Sequence, residues 1–248
     1  TMTKAAAKEI ELLREISAGD PHGRCHCVRL LNETEHRAHT ALIFESMAMN
    51  LREALKKYGK HVGINIDAVR IYAKQLLFAL RHLYKLRIVH ADIKPDNILM
   101  DGAVPRLCDF GSAYEFAVGD PGGSATPEYR APECVTHPQT LRTAPPASVD
   151  VYAVGAVFLE LTCGFPVWFP FNSRVCDPPG RPQFRCKPGR WLRGALAVPN
   201  REGKKVAKRQ GEVVRDLCSV LRRMPGKGLS RDTDAVELLE RLLDVDPA

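Results

Sequence analysis

Between Arg87 and Ala113 the chain reads RIVHADIKPDNILMDGAVPRLCDFGSA, and four of its side chains could together handle a phosphoryl group. Asp92 could accept the proton of an attacking hydroxyl. Lys94, two residues on, could reach a terminal phosphate. Asn97 and Asp109 bring oxygen, the donor Mg²⁺ prefers, with phosphate and water completing its shell. Phosphoryl transfer asks a protein for little covalent chemistry. It asks for metal, positioning and charge stabilisation. Either half alone is also ordinary local structure, with Asp96-Asn97 as a turn and Asp109 as the end of a strand. His90-Ala91-Asp92-x-Lys94-x-x-Asn97 together with Asp109-Phe110-Gly111 is too specific a combination for that account.

The elements that must carry these groups follow from the apolar periods. Lys4 to Ile16 has a helical period, with Ile10, Leu13 and Ile16 on one stripe. Val28 to Leu31 and Thr40 to Phe44 predict two strands, with the polar Asn32 to His39 as their connection. NLREALKKYG is a short helix closed by Gly59. A long helix follows, with Val69, Tyr72, Leu76, Leu80 and Leu83 at helical spacing and Asn65 or Asp67 as its cap. Arg87 to His90, Ile98 to Met100 and VPRLCDF are short strands, and Gly111 to Arg130 is a long loop. SVDVYAVGAVFLELTCG is apolar on every face, so it is a buried helix ended by Gly164. GEVVRDLCSVLRRM is amphipathic, and DTDAVELLERLLDVDPA is a capped helix. The order predicts an α+β chain: a small sheet-bearing part, a connection at Glu45 to Met49, and a larger helical part.

Composition narrows the class. The 248 residues hold 45% hydrophobic side chains, enough for one large domain or two small lobes, and no apolar run is long enough to span a membrane. The eight cysteines form no CxxC pair, so reduced thiols in an intracellular protein are expected. The net charge of +7 is local: residues 172–228 hold 15 Lys/Arg against 4 Asp/Glu, a net of +11, and the remainder is net −4. Such a block can be a solvated surface or can steer acidic partners.

The motifs resemble the eukaryotic protein kinases. HADIKPDN corresponds to their catalytic loop, DFG to their metal-binding triplet, and YRAPE, Tyr129 to Glu133, to the end of their activation segment. With MNLREALKKYGKHVGINIDAVRIYAKQLLFAL and LCDFGSA, the match sharpens to the pre-mRNA-processing factor four kinases of the CMGC group, which also carry Ala at the position of Ala91. The resemblance implies a bilobal serine/threonine kinase using ATP and Mg²⁺, with residues 1–45 in the small lobe and 46–248 in the helical large lobe. It assigns Asp92 as base, Lys94 to the γ-phosphate, and Asn97 and Asp109 to the metal. Phe44 (the gatekeeper), Glu45, Met47, Asn50 and Leu99 would line the nucleotide site. His90, Phe110 and Leu13 would stack as a regulatory spine. Asp150 would brace the catalytic loop, and Glu9 would pair with a lysine on a third strand. Substrates would be protein hydroxyls on Arg/Ser-rich or spliceosomal proteins in the nucleus, and a monomer is expected.

Some family features differ. No Gly-rich loop and no Val-Ala-x-Lys strand precede Glu9, and the sequence stops before the Arg that would pair with Glu133, so an incomplete chain is expected. A pseudokinase scaffold that binds splicing partners is the alternative; it predicts loss of Asp92, Asn97 or Asp109, and all three are present. Pro127 replaces an expected Arg, and with Ala91 this weakens the case for control by a loop phosphate, leaving Ser124 and Thr126 as candidate sites. The basic insert near 172–210 falls where CMGC kinases carry one. Its aromatics are limited to Phe184 and Trp191 within that block, which gives little support to RNA stacking.

Overall fold

The computed structural model describes residues 2–37, 39–59, 63–118, 126–131, 147–164 and 233–243. Glu133, Ser124, the basic insert and the amphipathic stretch GEVVRDLCSVLRRM lie outside the described residues.

Helix α1, Met2–Ala18, buries Leu12, Leu13 and Ile16 and half-buries Ile10, the stripe expected of its period. His82 Nε2 lies 3.0 Å from the carbonyl of Ile16 and so ties the end of α1 to the third helix. Strands β1, Leu30–His36, and β2, His39–Phe44, pair antiparallel, with a bulge between Leu30 and Asn32. Most of the predicted connection, Asn32 to His39, is therefore strand. Backbone pairing needs no apolar side chain, and these polar residues are exposed except for the half-buried Glu33.

Met49–Asn50 forms β3, and Leu51–Ala54 forms α2, which widens into a π-helical turn at Leu55–Gly59. Asn50 caps α2 in a reciprocal box. Its side chain accepts from the Glu53 N–H at 2.9 Å, and the Glu53 carboxylate accepts from the Asn50 N–H at 2.9 Å. Helix α3, Ile66–Lys85, starts at Asn65, whose side chain accepts from the Asp67 N–H. Its buried stripe is Val69, Ala73, Leu76, Ala79, Leu80 and Leu83, while Tyr72 is only half-buried.

Four short strands then frame the region of interest: β4, Ile88–Val89; β5, Ile98–Asp101; β6, Val104–Leu107; and β7, Tyr114–Glu115. The sheets are β1-β2, β3-β5-β6 and β4-β7. β7 is unexpected, because the stretch after Gly111 reads as loop. It forms because Tyr114, 1% exposed, is anchored in the core while its backbone pairs with Val89.

Helix α4, Ser148–Cys163, is buried from Val149 to Thr162 except at Val151, as its all-apolar sequence predicts, and Gly164 closes it at φ 82°. It packs against α3 and against α5, Thr233–Leu242. Gly155 makes the second contact possible: a Cβ there would lie 2.8 Å from Leu242 Cβ. The architecture is α+β. Among the described residues no helix is long and apolar enough to cross a membrane.

Candidate active site

The β5–β6 hairpin solves the first positioning problem. Ile98 pairs with Leu107, and the Cys108 N–H donates to the Asn97 carbonyl at 3.0 Å. Asn97 and Asp109, distant in sequence, therefore leave the same end of one ladder. The β4–β7 pair does the same for His90 and the turn Phe110–Ser112.

Asp150, in the first turn of α4, holds the loop from beneath. It is 3% exposed and accepts from the backbone N–H groups of His90 at 2.7 Å and Ala91 at 2.9 Å. Burial pushes its carboxyl above the ordinary value, against the pull of those two donors. Ala91 adopts φ 66°, a conformation costly for a residue with a Cβ, and the paired bonds to Asp150 keep the loop there. His90 Nδ1 accepts from the Asp92 N–H at 3.3 Å, so its proton lies on Nε2, which meets the Cys108 carbonyl at 3.0 Å. The His90 and Phe110 rings lie 4.9 Å apart, and Leu13 is buried in the same core.

Asp92 gathers the site. Its Oδ2 accepts from Lys94 Nζ at 2.6 Å and Asn97 Nδ2 at 3.2 Å. Its Oδ1 accepts from the Thr126 N–H at 3.0 Å and the Thr126 hydroxyl at 2.7 Å. Burial pushes the carboxyl up, but the Lys94 ammonium and the Thr126 donors outweigh it and hold it below the ordinary value. Lys94 Nζ also donates to Thr126 Oγ1 at 3.1 Å. Asn97 Nδ2 further donates to the Asp92 carbonyl at 2.9 Å. Both bonds use the amide nitrogen, so the Asn97 amide oxygen takes no part in them.

Glu9 brings α1 to the site. A Cβ on Gly111 would lie 3.3 Å from Asp109 Oδ1 and 3.9 Å from Glu9 Oε2, which puts both carboxylates around this glycine. Burial first, and then the Asp109 charge, raise the Glu9 carboxyl, while the Phe110 N–H opposes them. Cys108, next to Asp109, is pushed up to about 12 by burial and by that carboxylate, so its thiol is protonated at neutral pH.

The expected nucleotide-site residues are placed less uniformly. Glu45 accepts from the Arg29 N–H at 3.2 Å and lies 3.6 Å from Arg106 Nε, so its side chain is engaged by Arg29 and Arg106. Phe44 ends β2, Met47 is half-buried, and the following Ala48 N–H donates to the Met100 carbonyl at 3.3 Å. Leu99 is half-buried between Asn50 and Arg106 on neighbouring strands. The Asn50 amide oxygen is committed to its cap, which leaves the amide nitrogen for a ligand.

Sequence reasoning missed Thr126 as a site residue, since it read as a candidate phosphorylation site. Its hydroxyl instead bonds the carboxylate at the centre of the site. It also missed Arg52, Tyr129 and Glu160, which form a linked group below the loop. The available signal was Thr-Pro-Glu-Tyr directly before Arg-Ala-Pro-Glu.

This arrangement has relatives. A family model described as "Protein kinase domain" matches residues 1–248. The chain belongs to the protein kinase family. The kinase is 38% identical over 173 residues to serine/threonine-protein kinase prpf4B of Dictyostelium discoideum, a match covering 66% of this chain and 20% of that protein. It is 35% identical over 170 residues to serine/threonine-protein kinase prp4 of Schizosaccharomyces pombe, covering 66% and 34%. Dual specificity protein kinase YAK1 of Saccharomyces cerevisiae follows at 32% over 191 residues, covering 73% and 23%. The kinase thus fits the PRP4-like branch of the CMGC group, and the matched region spans a fifth to a third of the two PRP4-type relatives. The donors present fit a metal-bound nucleotide: the Asn97 amide oxygen and the Asp109 carboxylate are the hard oxygen ligands Mg²⁺ takes.

Proposed function

We propose that the chain transfers the γ-phosphate of ATP to serine and threonine hydroxyls of proteins, with pre-mRNA splicing factors as substrates and the nucleus as its compartment. The observation that supports it most is the bonding of Asp92, an ionised carboxylate held by Lys94, Asn97 and Thr126 in the loop expected to meet the substrate. Asp92 takes the proton of the substrate hydroxyl. Lys94 carries positive charge to the side where phosphate charge builds. Asn97 and Asp109 would hold Mg²⁺, which when bound would neutralise charge on the phosphates of ATP, the source of the phosphoryl group. Phe44, Glu45, Met47, Asn50 and Leu99 would line the adenine and ribose side, with residues 1–45 acting as the small-lobe wall and 46–248 as the large lobe. Glu9, beside Asp109, would set the angle of α1 against the metal-binding triplet. His90, Phe110 and Asp150 hold the loop from within, and Glu133 would close the activation segment. The PRP4-type names of two relatives support the choice of splicing proteins. The basic insert near 172–210 would dock acidic surfaces of such partners, and the chain acts as a monomer.

The test is phosphate transfer from ATP to an Arg/Ser-rich peptide, with magnesium-dependent nucleotide binding measured beside it. Asp109→Asn should abolish the magnesium dependence of binding while circular dichroism stays unchanged. Full magnesium-dependent binding by that variant would refute the metal assignment, and absence of transfer by the wild-type chain would refute the catalytic one.

A further inference from the structure

Arg52 is set back from the groups expected to touch phosphate, yet it binds both walls of the site. It lies in the first turn of α2, and 22% of its side chain is exposed. Nε donates to Asp96 Oδ2 at 2.9 Å and Oδ1 at 3.2 Å. Nη1 donates to Glu160 Oε1 at 2.5 Å, and Nη2 to the Tyr129 hydroxyl at 2.7 Å. Tyr129 in turn donates to Glu160 Oε2 at 2.5 Å. Glu160 projects from α4 and its side chain is 1% exposed.

These partners belong to different parts of the site. Asp96 is in the loop that carries Asp92 and Asn97. Tyr129 closes the turn that opens at Thr126, and its N–H donates to the Thr126 carbonyl at 3.0 Å. Thr126 is the residue of that turn that bonds Asp92. One guanidinium therefore joins the loop, the turn and the buried floor.

We infer that Arg52 is a positioning residue for phosphoryl transfer, holding the Thr126–Tyr129 turn against the catalytic loop so that Thr126 stays bonded to Asp92. The inference rests on the kinase reading above. Only an Arg can act this way here. Its planar fork directs separate donors to Asp96, Glu160 and Tyr129, while a lysine at the same place is a single point charge on a flexible stem. Burial and the Glu160 charge raise the Tyr129 hydroxyl above its ordinary value, so it remains a donor to Glu160 while it accepts from Arg52.

The experiment compares wild type, Arg52→Lys, Arg52→Met and the double variant Arg52→Met with Glu160→Gln. It reads peptide phosphorylation, melting temperature, and amide exchange over residues 126–131. Arg52→Lys keeps a cation beside Glu160, so it should melt close to wild type. Its kcat should fall on the order of 10- to 100-fold, the effect of a small misplacement of reacting groups, with KM for ATP unchanged. Exchange over 126–131 should accelerate. The double variant, free of the unpaired buried carboxylate, should regain the melting temperature lost in Arg52→Met but not the kcat. Unchanged kcat and exchange in Arg52→Lys would overturn the inference, as would a double variant that recovers both stability and kcat. If the wild type transfers no phosphate, the kinase reading fails by itself. Exchange over 126–131 in Arg52→Lys then decides the question for Arg52: faster exchange supports the clamp, and equal exchange overturns it.

Discussion

Among the described residues the Asp92 carboxylate accepts four hydrogen bonds, and two of them come from Thr126. This makes the state of the proposed base depend on a residue of another segment. Asp92→Asn should lower kcat by roughly 10²- to 10⁴-fold, the contribution of general-base catalysis, with nucleotide affinity kept. Thr126→Ala should lower kcat by about 10- to 100-fold, the worth of a hydrogen bond to a charged group, and Thr126→Ser should restore most of it. The sign of the pH effect follows from the donors. The folded carboxyl lies below its ordinary value near 4, so folding favours the ionised form. That stabilisation is present above about pH 4 and is lost as pH falls through the folded value. Removing the Thr126 hydroxyl weakens the cause of the depression. The acid limb of kcat/KM should therefore move to higher pH in Thr126→Ala, and an unmoved limb would show that Thr126 does not tune Asp92.

At the level of elements, the helices were legible and the ladders less so. The stripes of α1 and α3 and the all-apolar run of α4 follow directly from burial at a period of 3.6. Of the two proposed caps for α3, Asn65 is the one that accepts from the helix. Asn65→Ala should cost about 0.5–2 kcal/mol, read as a lower melting temperature. β1 starts two residues after the expected Val28 and runs on through polar residues to His36, β2 starts one residue before the expected Thr40, and β7 lies inside a Gly-rich stretch. Pairing in these cases is decided by backbone geometry rather than by side-chain pattern. The β1–β2 ribbon has both faces largely exposed, and two strands alone are marginal in water. Its amides should exchange faster than those of α3 and α4, and slow exchange throughout β1 and β2 would contradict this.

Across the whole molecule, α4 is the common support. Its start holds the loop at His90 and Ala91 through Asp150, its middle admits α5 at Gly155, and Glu160 near its end anchors Arg52 and Tyr129. Gly155→Leu should therefore separate α5 from α4 and lower stability by about 1–3 kcal/mol or more, measured by denaturant unfolding. The variant should also weaken the site at a distance, because the same helix carries Asp150.

The sequence by itself determined the chemistry available: an Asp, a Lys, an Asn and a second Asp at fixed separations, with Asp150 at the head of an apolar helix. Those features are local or periodic, and local steric and burial rules are enough to read them. Only the tertiary structure decided that Thr126 closes on Asp92, that Glu9 reaches Asp109 and Gly111, and that Arg52 joins Asp96, Tyr129 and Glu160. Each of these contacts joins residues tens of positions apart. The Thr126 and Arg52 contacts form because burying the carboxylates of Asp92 and Glu160 is costly until a donor from another element satisfies each, and no local pattern states which element that will be.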